Sequence, residues 1–121
     1  MNKGRKITGG KYHANRKKKL HERKNQERSV ILGETKTKKL RMRGGRIRTV
    51  LLKTNRANVV SNGKTQEVEI KNVKKTPQNR FLARQNRLIK SAIIETTIGL
   101  AKITNRPSQE GHVNAILIKQ E

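Results

Sequence analysis

Val59-Val60-Ser61-Asn62-Gly63-Lys64-Thr65-Gln66-Glu67-Val68-Glu69-Ile70 is the stretch that decides the fold. Asn-Gly between two runs of β-forming residues is the strongest short-range signal of a two-residue hairpin. Beyond the turn, Val68 and Ile70 alternate with Glu67, Glu69 and Lys71, the period of a strand with one face inward. Val73 has the wrong parity to continue that face, so a bulge or strand end is expected near Asn72. Thr76-Pro77-Gln78-Asn79 then breaks the pattern.

Working outward, Ile47 to Thr54 is rich in β-branched and aliphatic residues and predicts a strand, with a turn at Asn55-Arg56-Ala57-Asn58. Arg80 to Lys90 predicts one or two helical turns, with Phe81, Leu82, Leu88 and Ile89 inward. Ala92 to Ile98 also fits a helical spacing, but its density of β-branched residues favours a strand. Gly99 marks a turn or bulge, Leu100 to Thr104 a strand, Asn105 to Gly111 a loop, and Val113 to Lys119 the last strand. About six short strands at this spacing predict an all-β fold, a small closed β-barrel or a sandwich. Closure is preferred because it hides strand edges in a domain with little core.

The chain has 121 residues, with 31 Lys and Arg against 8 acids, a net charge of +23. So large a charge repels itself in the compact state and calls for a polyanion, of which nucleic acid is the commonest in cells. The charge is uneven. Residues 1–48 hold 18 cations and three acids, and residues 49–121 hold 13 cations and five acids. In the first part the apolar residues are scattered, and too few to offset the entropy of ordering. The expected division is a basic extension over 1–45, mobile alone up to about residue 40, and a barrel over 46–121. Ala14 to Arg28 lacks an apolar stripe, so any helix there would form on the ligand.

Catalytic chemistry finds little support. His13 and His21 sit among cations that disfavour their protonation and metal binding. Ser61, Ser91 and Ser108 lack a visible base partner, and Glu67 with Glu69 read as solvent-face partners of nearby Lys. Thr8-Gly9-Gly10-Lys11 lacks the Walker spacing, and its glycines suit a close approach to a backbone, a positive-φ turn or a flexible linker. No Cys is present, which excludes disulfides and thiolate metal sites. No apolar run approaches a membrane span, and no hydrophobic segment follows the basic N-terminus as in a secretory signal. A basic mitochondrial-type leader is an alternative that charge alone leaves open. The expectation is a non-enzyme with no cofactor, no small-molecule substrate and no membrane.

Binding finds much more. Arg5, Lys6, Lys11, Arg16, Lys17, Lys18, Lys19 and Arg23 form one basic run. Lys38, Lys39, Arg41, Arg43, Arg46 and Arg48 form a second around Gly44-Gly45. Charge spread over forty residues suits extended backbone contact more than a short localisation signal. Arg grips a phosphate through two bonds or stacks on a base, while Lys acts as a point charge. On the barrel side, Arg80, Arg84, Arg87 and Arg106 are the expected contacts, since all lie outside strands. Tyr12 and Phe81 are the sole aromatics, too few for a base-stacking platform. Folded RNA, recognised by shape and phosphate position, is the expected ligand. The competing readings are a DNA-compacting chromatin-like protein, which charge alone does not distinguish, and an RNA-processing enzyme, opposed by the missing catalytic cluster.

Several motifs in order carry a resemblance. They are Gly4-Arg5-Lys6-Ile7-Thr8-Gly9-Gly10-Lys11, the Arg16 to Lys19 run followed by Glu22, Arg41-Met42-Arg43-Gly44-Gly45, and Ala92-Ile93-Ile94 with Gly99. Arg106-Pro107, Gln109 and Gly111 before Val113-Asn114-Ala115 complete the set. Over nearly its whole length the chain resembles the "S-eight-e" family of small-subunit ribosomal proteins, in the shorter archaeal form. Ser108 stands where that family usually has Gly, Arg46 where Asn is common, and Arg84-Gln85 replaces a frequent Arg-Arg pair. The resemblance implies a small β-barrel with an rRNA-penetrating N-terminal extension. It further implies a structural role in the cytoplasmic small subunit, with small-subunit rRNA and neighbouring ribosomal proteins as partners.

Overall fold

In the computed structural model, residues 4–24 and 27–118 are described, and they hold eight strands. These are β1 (Ile31–Leu32), β2 (Lys36–Arg41), β3 (Ile47–Thr54), β4 (Arg56–Ser61), β5 (Lys64–Lys75), β6 (Ile93–Thr96), β7 (Leu100–Ile103) and β8 (Asn114–Leu117). One short helix, α1 (Arg80–Arg84), follows β5. Residues 1–3 and 25–26 of the expected extension lie outside the described residues, as do Lys119 of the expected last strand and residues 120–121.

Strands β4 to β8 form a closed five-stranded barrel. Neighbours pair antiparallel in chain order, and β8 closes back on β4 in parallel, with Asn58 opposite Asn114 and Val60 opposite Ile116. The expected hairpin joins β4 to β5, with φ of 49° at Asn62 and 77° at Gly63. Both turn residues are left-handed, the backbone twist that matches the twist of the flanking strands. The expected irregularity near Asn72 is present too. The β5–β6 register shifts between Ile70 and Asn72, and Val73 returns to the core.

A barrel this narrow must be filled by small or β-branched side chains. Ala57 and Val59 of β4, Val68 and Ile70 of β5, Ile94 of β6, Ala101 and Ile103 of β7 and Ala115 of β8 are all buried. Small residues face bulky ones across the ladder. Ala101 pairs with Ile94, and Ala115 pairs with both Ile103 and Val59.

The barrel has five strands and not the six expected, because Ile47–Thr54 is excluded from it. β3 is instead the centre of a separate three-stranded sheet, parallel to β1 and antiparallel to β2. Its partners come from the segment expected to be tail. The apolar triplet Val30-Ile31-Leu32 marks the first of them, β1. Val30 is only 1% exposed and shares the core with Leu51 and Leu88. Leu88 N donates to Val30 O at 2.9 Å and Leu32 N to Asn86 O at 3.0 Å, which ties β1 to the segment after α1. β1 pairs only with Lys53 and Thr54, and the loop before β8 bonds to β3 further along the strand. Leu51 N donates to Glu110 O at 3.2 Å and Arg48 Nε to Gln109 O at 2.8 Å.

The basic segment is therefore not one long extension. Residues 4–24 are exposed throughout and form no strand, whereas the chain from Val30 onward is paired. The expected boundary at 45/46 falls inside the β2–β3 hairpin. The expected turn at 55–58 also shrinks. Only Asn55 separates β3 from β4, and Ala57 is buried in the barrel. Phe81, expected inward, is 52% exposed. α1 is one turn, started by the Asn79 side chain accepting from Phe81 N at 2.9 Å. Its half-buried side is Leu82 and Ala83, which leaves Phe81 facing out.

Candidate nucleic-acid interface

The expected contact residues fall into four groups. The first is a tight turn near the start. Lys6 N donates to Gly10 O and Gly9 N to Lys6 O, each at 2.9 Å, and Arg5 Nη1 donates to Gly9 O at 3.0 Å. Gly9 has φ of 80°. The turn brings Arg5 opposite Lys11, and Lys6 Nζ lies 5.7 Å from the centre of the Tyr12 ring.

The second group is Arg16 to Arg23. Here Arg16 grips Glu22 with two bonds of 2.8 and 2.6 Å, and Glu22 also accepts from Lys19 N at 3.0 Å. These bonds organise a 3-10 turn over Leu20–Glu22, the only helical residues among the described ones of the Ala14 to Arg28 stretch. The Arg16 guanidinium, and after it the Lys19 amide, hold the Glu22 carboxyl below its ordinary pKa, and Glu22 raises that of Arg16. Arg16 is thus already matched to an acid. Lys17, Lys18 and Lys19 are exposed, and Arg23 Nε donates to Lys18 O at 3.3 Å.

The third group is the β2–β3 hairpin. Residues 36–48 contain Lys36, Lys38, Lys39, Arg41, Arg43, Arg46 and Arg48 and no acid. Antiparallel pairing sets Leu40 and Arg48 on one face, and Lys39, Arg41, Ile47 and Thr49 on the other. At the tip Met42 N donates to Arg46 O at 2.7 Å across Gly44 (φ 72°) and Gly45 (φ 77°). Two left-handed residues in succession suit glycine, because a Cβ there would strain the backbone. Met42 and Ile47 are exposed at this tip, Ile47 by 70%, amid Arg43, Arg46 and Arg48. The glycine pair at Gly44-Gly45 is the one local sign of this arm, since Lys36–Arg41 has a single apolar residue and no alternation.

The fourth group divides. Arg80 and Arg84 flank Phe81, with guanidinium carbons 5.5 and 5.7 Å from the ring centre. Arg87 and Arg106 line a separate cleft together with Arg28 and Lys90, two residues that were not among the expected contacts. Nothing in their local sequence marks them. Only folding brings residues 28, 87, 90 and 106 together.

Acids occupy other places. Glu67 pairs with Arg56 at 3.3 Å, and not with Lys as expected, while Lys74 pairs with Glu95 at 3.2 Å. His112 lies 3.8 Å from Glu110. A cleft of about 650 Å³ is lined by Glu34, Arg56, Glu67 and His112 among others, a mixed-charge surface. Among the described residues no three His, Cys, Asp or Glu are placed to hold a metal ion. The arrangement offers arrays of cationic donors, which can hold phosphates.

The protein-family model described as ribosomal protein S8e matches residues 1–118. The chain is 41% identical over 117 residues to the small ribosomal subunit protein eS8 of Methanocorpusculum labreanum, covering 95% of this chain and 94% of that one. It is 39% identical over 115 residues to the protein of the same name from Haloarcula marismortui, with 95% and 94% covered. The corresponding protein of Methanococcus aeolicus is 43% identical over 119 residues, with 96% and 93% covered.

Proposed function

This chain belongs to the ribosomal protein S8e family, and on that premise we propose how it works: it stabilises folded small-subunit rRNA by neutralising phosphates where RNA segments pack. It is a non-enzymatic structural constituent of the cytoplasmic small ribosomal subunit. The supporting observation is the β2–β3 hairpin, seven cations on thirteen acid-free residues presented by a paired, glycine-turned arm. Each phosphate neutralised releases condensed counterions, so binding is driven by entropy and weakened by salt. Arg41, Arg43, Arg46 and Arg48 add two-bond phosphate geometry that Lys lacks. Reading is by shape. Tyr12 is attended by Lys6 and Phe81 by two arginines, which leaves no run of free aromatic faces for bases.

We place the functional division near residue 25. Residues 4–24 act as the segment that orders on rRNA, and 27–118 act as the preformed body, in place of a division at 45/46. The contacts assigned to Arg5, Lys6, Lys11, Lys17, Lys18, Lys19 and Arg23 belong to the first part. Those of Lys38, Lys39 and the arm arginines, Arg80, Arg84, Arg87 and Arg106 belong to the second. Neighbouring small-subunit proteins complete the partner set.

The test is rRNA binding against salt. Replacing Arg41, Arg43, Arg46 and Arg48 together by Ala should flatten the log–log salt slope by about one unit per lost phosphate contact. It should also weaken affinity uniformly across RNA sequences. An unchanged slope would remove the arm from the interface. Competition by duplex DNA equal to that by folded rRNA would favour the chromatin-like reading instead.

A further inference from the structure

Beside α1 the chain folds a cleft of about 90 Å³ that no other part of the basic surface resembles. Arg28, Arg87, Lys90 and Arg106 line it, with Glu27 as the sole acid. Its floor is apolar and fixed. Leu88 is 1% exposed and Pro107 is fully buried. Arg106 is held in a tight turn, its carbonyl accepting from Gln109 N at 3.0 Å and Glu110 N at 3.1 Å. The Arg87 backbone is pinned from both sides. Arg87 N donates to Leu82 O at 3.1 Å, and the residue bridges to Ile31 of β1.

The deciding observation is Arg87 Nε. It is buried from solvent and, alone among buried side-chain polar atoms of the described residues, has no hydrogen-bond partner. An orphaned cationic N–H of this kind costs free energy unless something fills its lobe. Most of the other arginines singled out here are either matched, as Arg16 and Arg48 are, or open to water.

We propose that this cleft is a seat for one phosphate group, with the Arg87 guanidinium, whose Nε–H lacks a partner, as its donor and Arg28, Lys90 and Arg106 as its charged rim. The size agrees. A cleft of about 90 Å³ has room for a tetrahedral oxyanion. The charge agrees too, four cations against one carboxylate. The inference deepens the proposed rRNA reading, because a backbone phosphate is one source of the ligand and a free phosphate the other. It differs from the rest of the interface in kind. Elsewhere exposed cations follow a backbone, while here one phosphate is fixed in position and sets the register of the barrel on its RNA. Residues 27–29 ahead of β1, the segment after α1 and the 106–108 turn all line the cleft, so the seated anion contacts three separate parts of the chain.

The test follows the Arg Nε–H resonances of the full chain by NMR during titration with inorganic phosphate, against chloride at equal ionic strength. The expected result is a saturable shift of the Arg87 signal with phosphate only. Arg87→Lys keeps the charge and removes the Nε donor, and should weaken that binding about tenfold. Lys90→Ala alters only an exposed rim residue, keeps the fold, and should weaken it several-fold if Arg87→Lys perturbs folding. Lys71→Ala, outside the cleft, should leave it unchanged. A shift that never saturates, or that chloride reproduces, overturns the proposal. A second arm measures rRNA binding. Loss of about one unit of salt slope in Arg87→Lys identifies the RNA backbone as the source, and an unchanged slope identifies free phosphate. If the chain fails to bind rRNA yet Arg87 saturates with phosphate, the rRNA reading falls and the seat stands.

Discussion

The barrel and the three-stranded sheet are both β, and they solve opposite problems. The barrel turns Ala57, Val59, Ile94, Ala101, Ile103 and Ala115 inward and closes every edge. The sheet carries a hairpin whose outer half buries nothing, from Arg41 to Thr49. The first is held by apolar burial, at about 1.5–3 kcal/mol per large aliphatic side chain. The second is held at its base by Val30, Val50 and Leu51 and is otherwise free to present charge. Seven unopposed cations are tolerable because they stand on a protruding arm and not around a core.

The comparison breaks most completely if the two parts are cut apart. A fragment beginning at Arg46 loses Val30, both partners of β3 and the wall behind Leu88. It should fail to give a cooperative thermal transition, whereas one beginning at Glu27 should melt like the full chain. Folding of the shorter fragment would show that the sheet is dispensable to the barrel.

Next in size is the arm itself. Gly45→Val forces a β-branched residue into a left-handed position, which costs about 1–2 kcal/mol. The loss should fall on the hairpin. Amide exchange should accelerate in β2 and the outer half of β3 with barrel protection retained, and rRNA affinity should drop. A uniform loss of protection would mean that arm and barrel unfold as one unit.

The smallest effect concerns Glu22. Its pKa is lowered in the folded turn, so the turn gains from ionised Glu22 above the ordinary carboxylate range. That gain disappears as pH falls through the lowered value. NMR of residues 16–23 should show the 3-10 turn at neutral pH and its loss in acid, with barrel signals unmoved. Glu22→Gln should abolish the turn's pH dependence and release Arg16.

Much of the barrel was legible because its signals are local. Asn62-Gly63, the parity break at Val73 and the loop at 105–111 are each decided within a few residues. What was not legible is non-local. β1 is two residues long, too short for a period, and pairs in parallel with a strand some twenty residues away. The closure of β4 on β8 joins positions 58–60 to 114–116, which leaves no place in the barrel for Ile47–Thr54. For the interface, the sequence revealed which residues are cationic but not their grouping. Arg16 is consumed by Glu22, Arg80 and Arg84 attend Phe81, and Arg87 joins Arg106 only because folding brings the turn at Arg106–Ser108 to the segment after α1.

Asn55 alone stands between β3 and β4. Its carbonyl accepts from Ile70 N at 2.7 Å, and Thr54 Oγ1 accepts from Arg56 N at 3.1 Å. A joint so short and so bonded has no slack. Eight residues of strand reach about 25 Å, so the arm behaves as a gauge of fixed length welded to its handle. On the proposed reading, two points of an RNA surface that the arm touches at once lie at that spacing, and an RNA in which they do not has yet to finish folding.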